Sequence, residues 1–220
     1  MGVTIVDAND CAAFYGLLRM AVTMKIDQLH RPIGKGHAML SSDVKAITPA
    51  EVGWDVTLLT RGGVTMQVRA VLPTDAPILA ELFDHVSPAD LRFRFLSGLR
   101  HIDAARIAQM IDVDYRASIT FIAFDGERPI ATVMLAAAPD RARADIAVSV
   151  RSDMKDRGIG WTLLQHVLRY ARANGIEHVE SMESRDNNAA LGLERDAGFD
   201  VHPCEGDPAD VVASKILVKE

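Results

Sequence analysis

The sequence predicts an α/β (α+β) fold in which helices flank a sheet of largely antiparallel strands. Three observations predict it. Val148–Val150 ends a strand and leads through a short polar loop into Gly158-Ile159-Gly160, which opens a helix with one apolar face. Ser118 to Phe124 and Ile130 to Ala137 are two strands joined by the Asp125-Gly126-Glu127 turn, as an antiparallel pair requires. The elements run strand, helices, three antiparallel strands, helix, strand, helix, strand.

Residues 1–53 differ from the rest. Cys11 to Ile26 suits a helix capped by Asn9 or Asp10, and Leu29 to Asp43, with its Gly, Ser and Pro, suits a loop or linker. Gly34-Lys35-Gly36 lacks the upstream glycine of a phosphate-binding P-loop. The expected division is therefore an extension, 1–53, which could dock on the domain or mediate a homodimer, and a domain, 54–220.

Within that domain, Val56–Thr60 and Val64–Leu72 flank Arg61-Gly62-Gly63 as a hairpin. Thr74 is expected to cap a helix through Ile78, Leu79, Leu82 and Phe83. Ser87-Pro88 starts a second helix and Asp103 to Met110 forms a third. Ala144, Ile146, Val148 and Val150 alternate with Asp145, Ala147 and Ser149, giving a strand with two unlike faces. After Gly160, residues Leu163, Leu164, Val167, Leu168 and Ala171 keep helical spacing until Asn174-Gly175 stops it. His178 to Glu183 is the next strand, Asn188 to Asp196 a short helix closed by Ala197-Gly198-Phe199, and Val211 to Val218 the last strand.

Composition removes several function classes. The 220 residues are 49% hydrophobic and 25% charged, an ordinary globular make-up. A net charge of -6 and 5% aromatic residues argue against nucleic acid as partner. Cys11 and Cys204 are far apart, without the spacing of a zinc site or a disulfide framework, and fit free thiols in a reducing cytoplasm. There is no apolar run of about 18 residues and no basic-then-apolar leader pattern, so a cytoplasmic protein without membrane contact is expected.

The chemistry concentrates at residues 148–161. Glycines at a helix start leave backbone N–H groups uncovered at the positive end of the helix dipole, and Lys155 and Arg157 add charge. Such a place binds anions, most naturally a pyrophosphate.

The run Lys155-Asp156-Arg157-Gly158-Ile159-Gly160, after one strand and before one helix, resembles the acetyl-CoA signature of the GNAT superfamily of N-acetyltransferases. That signature is Arg or Gln, two residues, Gly, one residue, then Gly or Ala; Lys155 stands at its first position and keeps the charge. Asn187, followed by a short helix ending in Gly198-Phe199, resembles the family's closing element. The stretch Arg69 to Phe95 is similar to the GNAT domains of bacterial protein lysine acetyltransferases, with Arg-x-x-x-Pro-x-Asp and then Ser-Pro-x-Asp. The resemblance covers roughly residues 64–220. It implies the GNAT fold, a mixed, mostly antiparallel central sheet flanked by helices, with acetyl-CoA as cosubstrate and an amine, small molecule or protein lysine, as acceptor. It also implies cofactor contacts from the main chain of Val148, Ser149 and Val150, from Lys155, Asp156, Arg157, Gly158, Ile159 and Gly160, and from Asn187. Trp161, on the first turn, could flank the phosphates or pack in the core.

Acetyl transfer to an amine needs the neutral amine. A lysine is only about 1 part in 2,500 neutral at pH 7, which costs roughly 4–5 kcal/mol unless a base or desolvation helps. Asp145 is the first candidate base, because it shares a strand face with small Ala147 and Ser149. It is one methylene shorter than the Glu that similar enzymes carry, which favours a water relay, and it could instead simply pair with Arg141 or Arg143. Glu180 and Glu183 are the other candidates, since acidic residues are uncommon inside strands. Many family members place a Tyr on the last short helix as acid for the leaving thiolate; that position here is Glu194. A non-catalytic acyl-CoA sensor on the same fold is the alternative.

Overall fold

The computed structural model describes residues 53–217, apart from 97, 99, 205 and 206. The expected helix at Cys11 to Ile26, the Gly34-Lys35-Gly36 run and Val218 lie outside the described residues. Eight strands form one sheet in the order β1-β2-β3-β4-β5-β6-β8-β7. They are β1 (Val56–Leu59), β2 (Thr65–Ala70), β3 (Ser118–Asp125), β4 (Arg128–Ala137), β5 (Arg143–Val150), β6 (His178–Ser184), β7 (Asp200–Pro203) and β8 (Asp210–Ile216). The helices are α1 (Ala76–Asp84), α2 (Pro88–Phe95), α3 (Ala104–Ile111), α4 (Ile159–Ala173) and α5 (Asn188–Asp196). A 3-10 turn, Ser152–Met154, follows β5.

All neighbouring strands are antiparallel except β5 and β6, which run parallel. A parallel pair needs a long crossover, and α4 supplies it. The sheet buries both faces. On one side Leu163, Leu164, Val167 and Leu168 of α4 pack on Val133, Leu135 and Ile146. On the other, Leu79, Leu82 and Phe83 of α1 and Ile107 and Met110 of α3 pack on Ile122 and Phe124. This is why β3 and β4 are buried almost throughout instead of alternating.

Two details differ from the sequence reading. The residue before α1 is Asp75, not Thr74, and its carboxylate makes no capping bond. It is drawn instead to Arg69, at 2.5 Å, and accepts from the backbone N–H of Leu72 at 2.7 Å. A buried charge gains more from a guanidinium than from a neutral helix donor. The short strand β7 was not expected, because Asp200–Pro203 carries no alternating apolar pattern; it forms as an edge strand on β8. The Ser87 and Asp103 helix starts are as read, each side chain accepting from the N–H three residues on.

The β1–β2 turn reaches back to the loop before α4. A Cβ on Gly62 would stand 2.5 Å from the backbone oxygen of Arg157, closer than any side-chain carbon can come. Arg61 lies over the Trp161 ring with its guanidinium carbon 4.7 Å from the ring centroid. Gly62→Ala is therefore expected to destabilise the fold by about 1–3 kcal/mol, the usual range for overpacking. Gly192→Ala, in the middle of α5 with open space around it, is expected to be stabilising by up to about 1 kcal/mol. Urea unfolding of the two variants checks the contrast.

Candidate active site

β5 and β6 pair only over Arg143↔His178, Ala144↔Val179 and Asp145↔Glu180. Beyond that point β5 stays on β4 as far as Val150, while β6 stays on β8 as far as Ser184. The two strands therefore part, and the edge of β5 from Ile146 onward has no strand beside it. The gap opens into a cleft of about 290 Å³. Ile146 to Val150 form one wall and Ser181 to Glu183 with α5 the other. Lys155 to Gly160 close one end, and Phe93 and Arg94 of α2 stand over it. A larger, shallower depression of about 590 Å³ lies between Asp55, Arg69 and Gly126, away from the glycine loop.

At the loop end, Asp156 and Gly158 have φ of 60° and 75°. Left-handed residues interleaved with ordinary ones turn successive N–H groups toward one point and make an anion cradle. Gly158 is the residue before α4, no side chain caps the helix, and its first turn holds no acidic residue. The N–H groups of that turn are thus left for a ligand. Gly160 matters for closeness: a Cβ there would come 3.2 Å from Leu193 of α5 and narrow the cleft. These features fit a pyrophosphate. Lys155 lines the cleft, and its ammonium is held at 2.6 Å by Asp90 of α2. Arg151, buried, fixes the base of the loop through Glu81 and Asp153, each at 3.2 Å.

Most of the residues singled out in the sequence meet here. Val148, Ser149, Val150, Lys155, Asp156, Gly158, Ile159, Gly160, Trp161, Glu183 and Asn187 all line the cleft. Trp161 does so while packing against the main core. Arg157 does not line it; its backbone is taken up by the contact with Gly62. Nor does Asp145, which sits at the closed end of the gap on the opposite sheet face from Glu183. That follows from alternation: Asp145 and Glu180 share a face, and Ser181 and Glu183 take the other. Asp90, Phe93 and Arg94 were missed as cleft residues, although the Ser-Pro-x-Asp stretch marked their helix.

Three carboxyl groups around the gap hold their protons unusually strongly. Burial pushes Asp145 up to about 7, helped by Glu180 and opposed by Arg143. Burial likewise lifts Glu183 to about 7, against a hydrogen bond from Asn187 at 2.7 Å. Glu194 rises to about 8, through burial and the neighbouring Glu183, despite a hydrogen bond from Ser181. Two buried polar atoms of the cleft walls, Ser149 Oγ and Glu194 Oε2, have no hydrogen-bond partner.

The sequence profile of the acetyltransferase (GNAT) family matches residues 88–199, which include α2, the β5–β6 gap, the loop and α5. The chain belongs to the GNAT family of acetyltransferases. It is an acetyl-CoA-dependent acyltransferase. An acetyltransferase of Pseudomonas aeruginosa is 29% identical over 136 residues, spanning 60% of this chain and 73% of the relative. The GNAT domain of S. lividans PAT superposes with a TM-score of 0.70 at 24% identity, covering 74% of this chain and 97% of that one. RimL, a ribosomal L7/L12 alpha-N-protein acetyltransferase solved with coenzyme A, gives 0.59 at 19% identity over 73% of this chain and 98% of its own. These likenesses are to the fold. Among the described residues no helix is long and apolar enough to cross a membrane.

The carboxyl groups make stability depend on pH with a definite sign. Each folded pKa lies above the unfolded value, so between about pH 4 and 8 the folded chain holds more protons than the unfolded one. Their contribution is complete below about pH 4, falls from there by at most about 1.4 kcal/mol per pH unit for each group, and is gone once pH has risen through 7 and 8. Urea unfolding at pH 5, 6.5 and 8 is expected to register this fall, and Glu194→Gln to flatten it.

Proposed function

We propose that the protein transfers the acetyl group of acetyl-CoA to a primary amine, a protein lysine or a small molecule, by direct attack of the amine on the thioester. The observation that carries this reading is the parting of β5 and β6. It leaves a strand edge free, beside a phosphate cradle at one end and beneath titratable carboxyl groups at the other. Acetyl-CoA supplies an activated acyl carbon and a thiolate leaving group. The first-turn N–H groups of α4 and Lys155 would hold its pyrophosphate. The main chain of Val148, Ser149 and Val150 would align the pantetheine arm, as a strand edge aligns any extended chain carrying amides. Asn187 and Trp161 would line the same path. The domain responsible is proposed to be 54–220, with 1–53 as an extension.

The acceptor amine approaches on the α2 side, where Asp145 and Glu180 share a sheet face. Asp145 takes the amine's proton through a water lying along small Ala147 and Ser149. Its raised pKa of about 7 suits that work, because a base titrating near the working pH combines availability with proton affinity. Glu183, on the other face, accepts a hydrogen bond from Asn187 and orients it toward the cleft. Holding the reactants at about 3–3.5 Å contributes more than the base does.

Isothermal titration with acetyl-CoA, followed by thiol release with a panel of amines and a lysine-containing protein, tests the reading. Binding with release is expected; binding without release from any amine would overturn it. Asp145→Asn is expected to lower kcat on the order of 10²-fold. It should also abolish the rise of activity with pH through about 7 that a deprotonated base produces. Glu183→Gln should keep that rise, even though Glu183 also titrates near 7. The opposite pattern would transfer the role of base to Glu183.

A further inference from the structure

With the pyrophosphate at the start of α4 and the pantetheine arm along β5, the rest of acetyl-CoA has one way to go. Its nucleotide half, an adenosine carrying a 3′-phosphate, is joined to the far side of the pyrophosphate. It leaves the cleft at the loop end, past Lys155 to Gly160. Neither the glycine loop nor β5 accounts for this second anionic group.

The β1–β2 turn stands at that exit. A Cβ on Gly158 would come 3.4 Å from the backbone nitrogen of Arg61 and 3.5 Å from that of Gly62. The turn thus abuts the residue before α4, and it comes this close because Gly62 has no side chain to meet the Arg157 backbone. From the turn the exposed side chain of Arg61 reaches over Trp161, its guanidinium carbon 4.7 Å from the ring centroid. Trp161 lines the cleft from the first turn of α4, whereas Arg61 does not line it. The cation is therefore held just outside the cleft, on the outer side of Trp161.

The fold offers no reason for a cation there. The start of α4 is the positive end of the helix dipole, where positive charge is unfavourable. Other cations of the loop are compensated, Lys155 by Asp90 and Arg151 by Glu81 and Asp153. Among the described residues no carboxylate pairs with Arg61, and the first turn of α4 holds no acidic residue. Arg157 is a second such cation, but the fold fixes its backbone, against Gly62, while it fixes the guanidinium of Arg61 on a ring. A planar fork of N–H donors on an aromatic platform is suited to grip a phosphate.

We propose that Arg61 binds the 3′-phosphate of coenzyme A, so that the β1–β2 turn selects the complete cofactor over its 3′-dephospho form. This rests on acetyl-CoA as the cosubstrate and not on the identity of the acceptor. The phosphate compensates both the guanidinium and the positive end of α4. Trp161 is the platform that orients the guanidinium.

Isothermal titration of the full chain with coenzyme A and with 3′-dephospho-coenzyme A is the test, in the wild type, Arg61→Gln, Arg61→Lys and Arg157→Gln. The wild type is expected to bind coenzyme A on the order of 10-fold more tightly than the dephospho form, the worth of a hydrogen bond to a charged group. That ratio should narrow as salt is raised, because the guanidinium is exposed. Arg61→Gln should bring the ratio close to one by weakening coenzyme A alone. Its unchanged affinity for the dephospho form then shows that the fold is intact. Arg61→Lys should keep part of the ratio, since the charge remains and the fork is lost. A wild type that does not distinguish the two ligands overturns the proposal. So does a ratio that survives Arg61→Gln, or one lost only in Arg157→Gln. Equal weakening of both ligands by Arg61→Gln overturns it as well, and leaves Arg61 as a brace on Trp161. Binding of neither ligand by the wild type overturns the cofactor site and this proposal together, a failure distinct from the others.

Discussion

The cleft of this protein depends on two strands ceasing to pair. A parallel ladder broken after Asp145↔Glu180 leaves backbone groups of β5 without their usual partners inside the molecule. Buried backbone polar groups are almost always satisfied, so an interrupted ladder is stable only where something else meets them. The rest of the sheet makes the interruption tolerable. β4 holds β5 along its whole length on one side, and β8 holds β6 on the other. The two halves are tied by three register pairs at one end and by the packing of α4 across the core.

The glycine loop depends on a second constraint, the close approach of the β1–β2 turn. Gly62 and Gly158 face each other's segments: a Cβ on Gly62 would clash with the Arg157 backbone at 2.5 Å, and one on Gly158 would already touch the Arg61 nitrogen at 3.4 Å. With Arg151 anchored to Glu81 and Asp153, the loop is held from both sides before any ligand arrives. Preorganisation of this kind reduces the entropy lost on binding. Lys155 is handled differently. Its pairing with Asp90 couples the charge on the loop to α2, the helix that stands over the cleft.

The carboxyl groups illustrate how one environment gives similar residues different proton affinities. Asp145, Glu183 and Glu194 are all lifted, chiefly by burial. They differ in what faces them. Arg143 opposes the shift at Asp145, Asn187 donates to Glu183, and Glu194 has only Ser181 and the adjacent negative charge of Glu183. The most weakly supported carboxyl group keeps its proton to the highest pH.

Much of this was legible in residues 54–220. Local rules set the elements: α4 and α5 follow from apolar spacing with glycine and asparagine punctuation, and the Asp125-Gly126-Glu127 turn forces β3 and β4 into an antiparallel pair. The glycine loop was readable because its conformation is set by neighbouring residues and by the absence of side chains. Glu183 was legible as an acidic residue inside a strand and Asn187 through the resemblance to the family's closing element; the fold bonds the two to each other. The sequence could not show that Asp145 and Glu183 take opposite faces of the sheet, that Arg157 is spent on Gly62, or that Asp75 prefers Arg69 to its own helix. Nor could it show that Glu194, at the position of a missing tyrosine, is buried against Ser181 with one oxygen unbonded. Those facts depend on which distant segments meet and on how much water they exclude. Local sequence determines backbone conformation; only the tertiary packing decides the desolvation and the neighbouring charges that set how tightly a carboxyl group holds its proton.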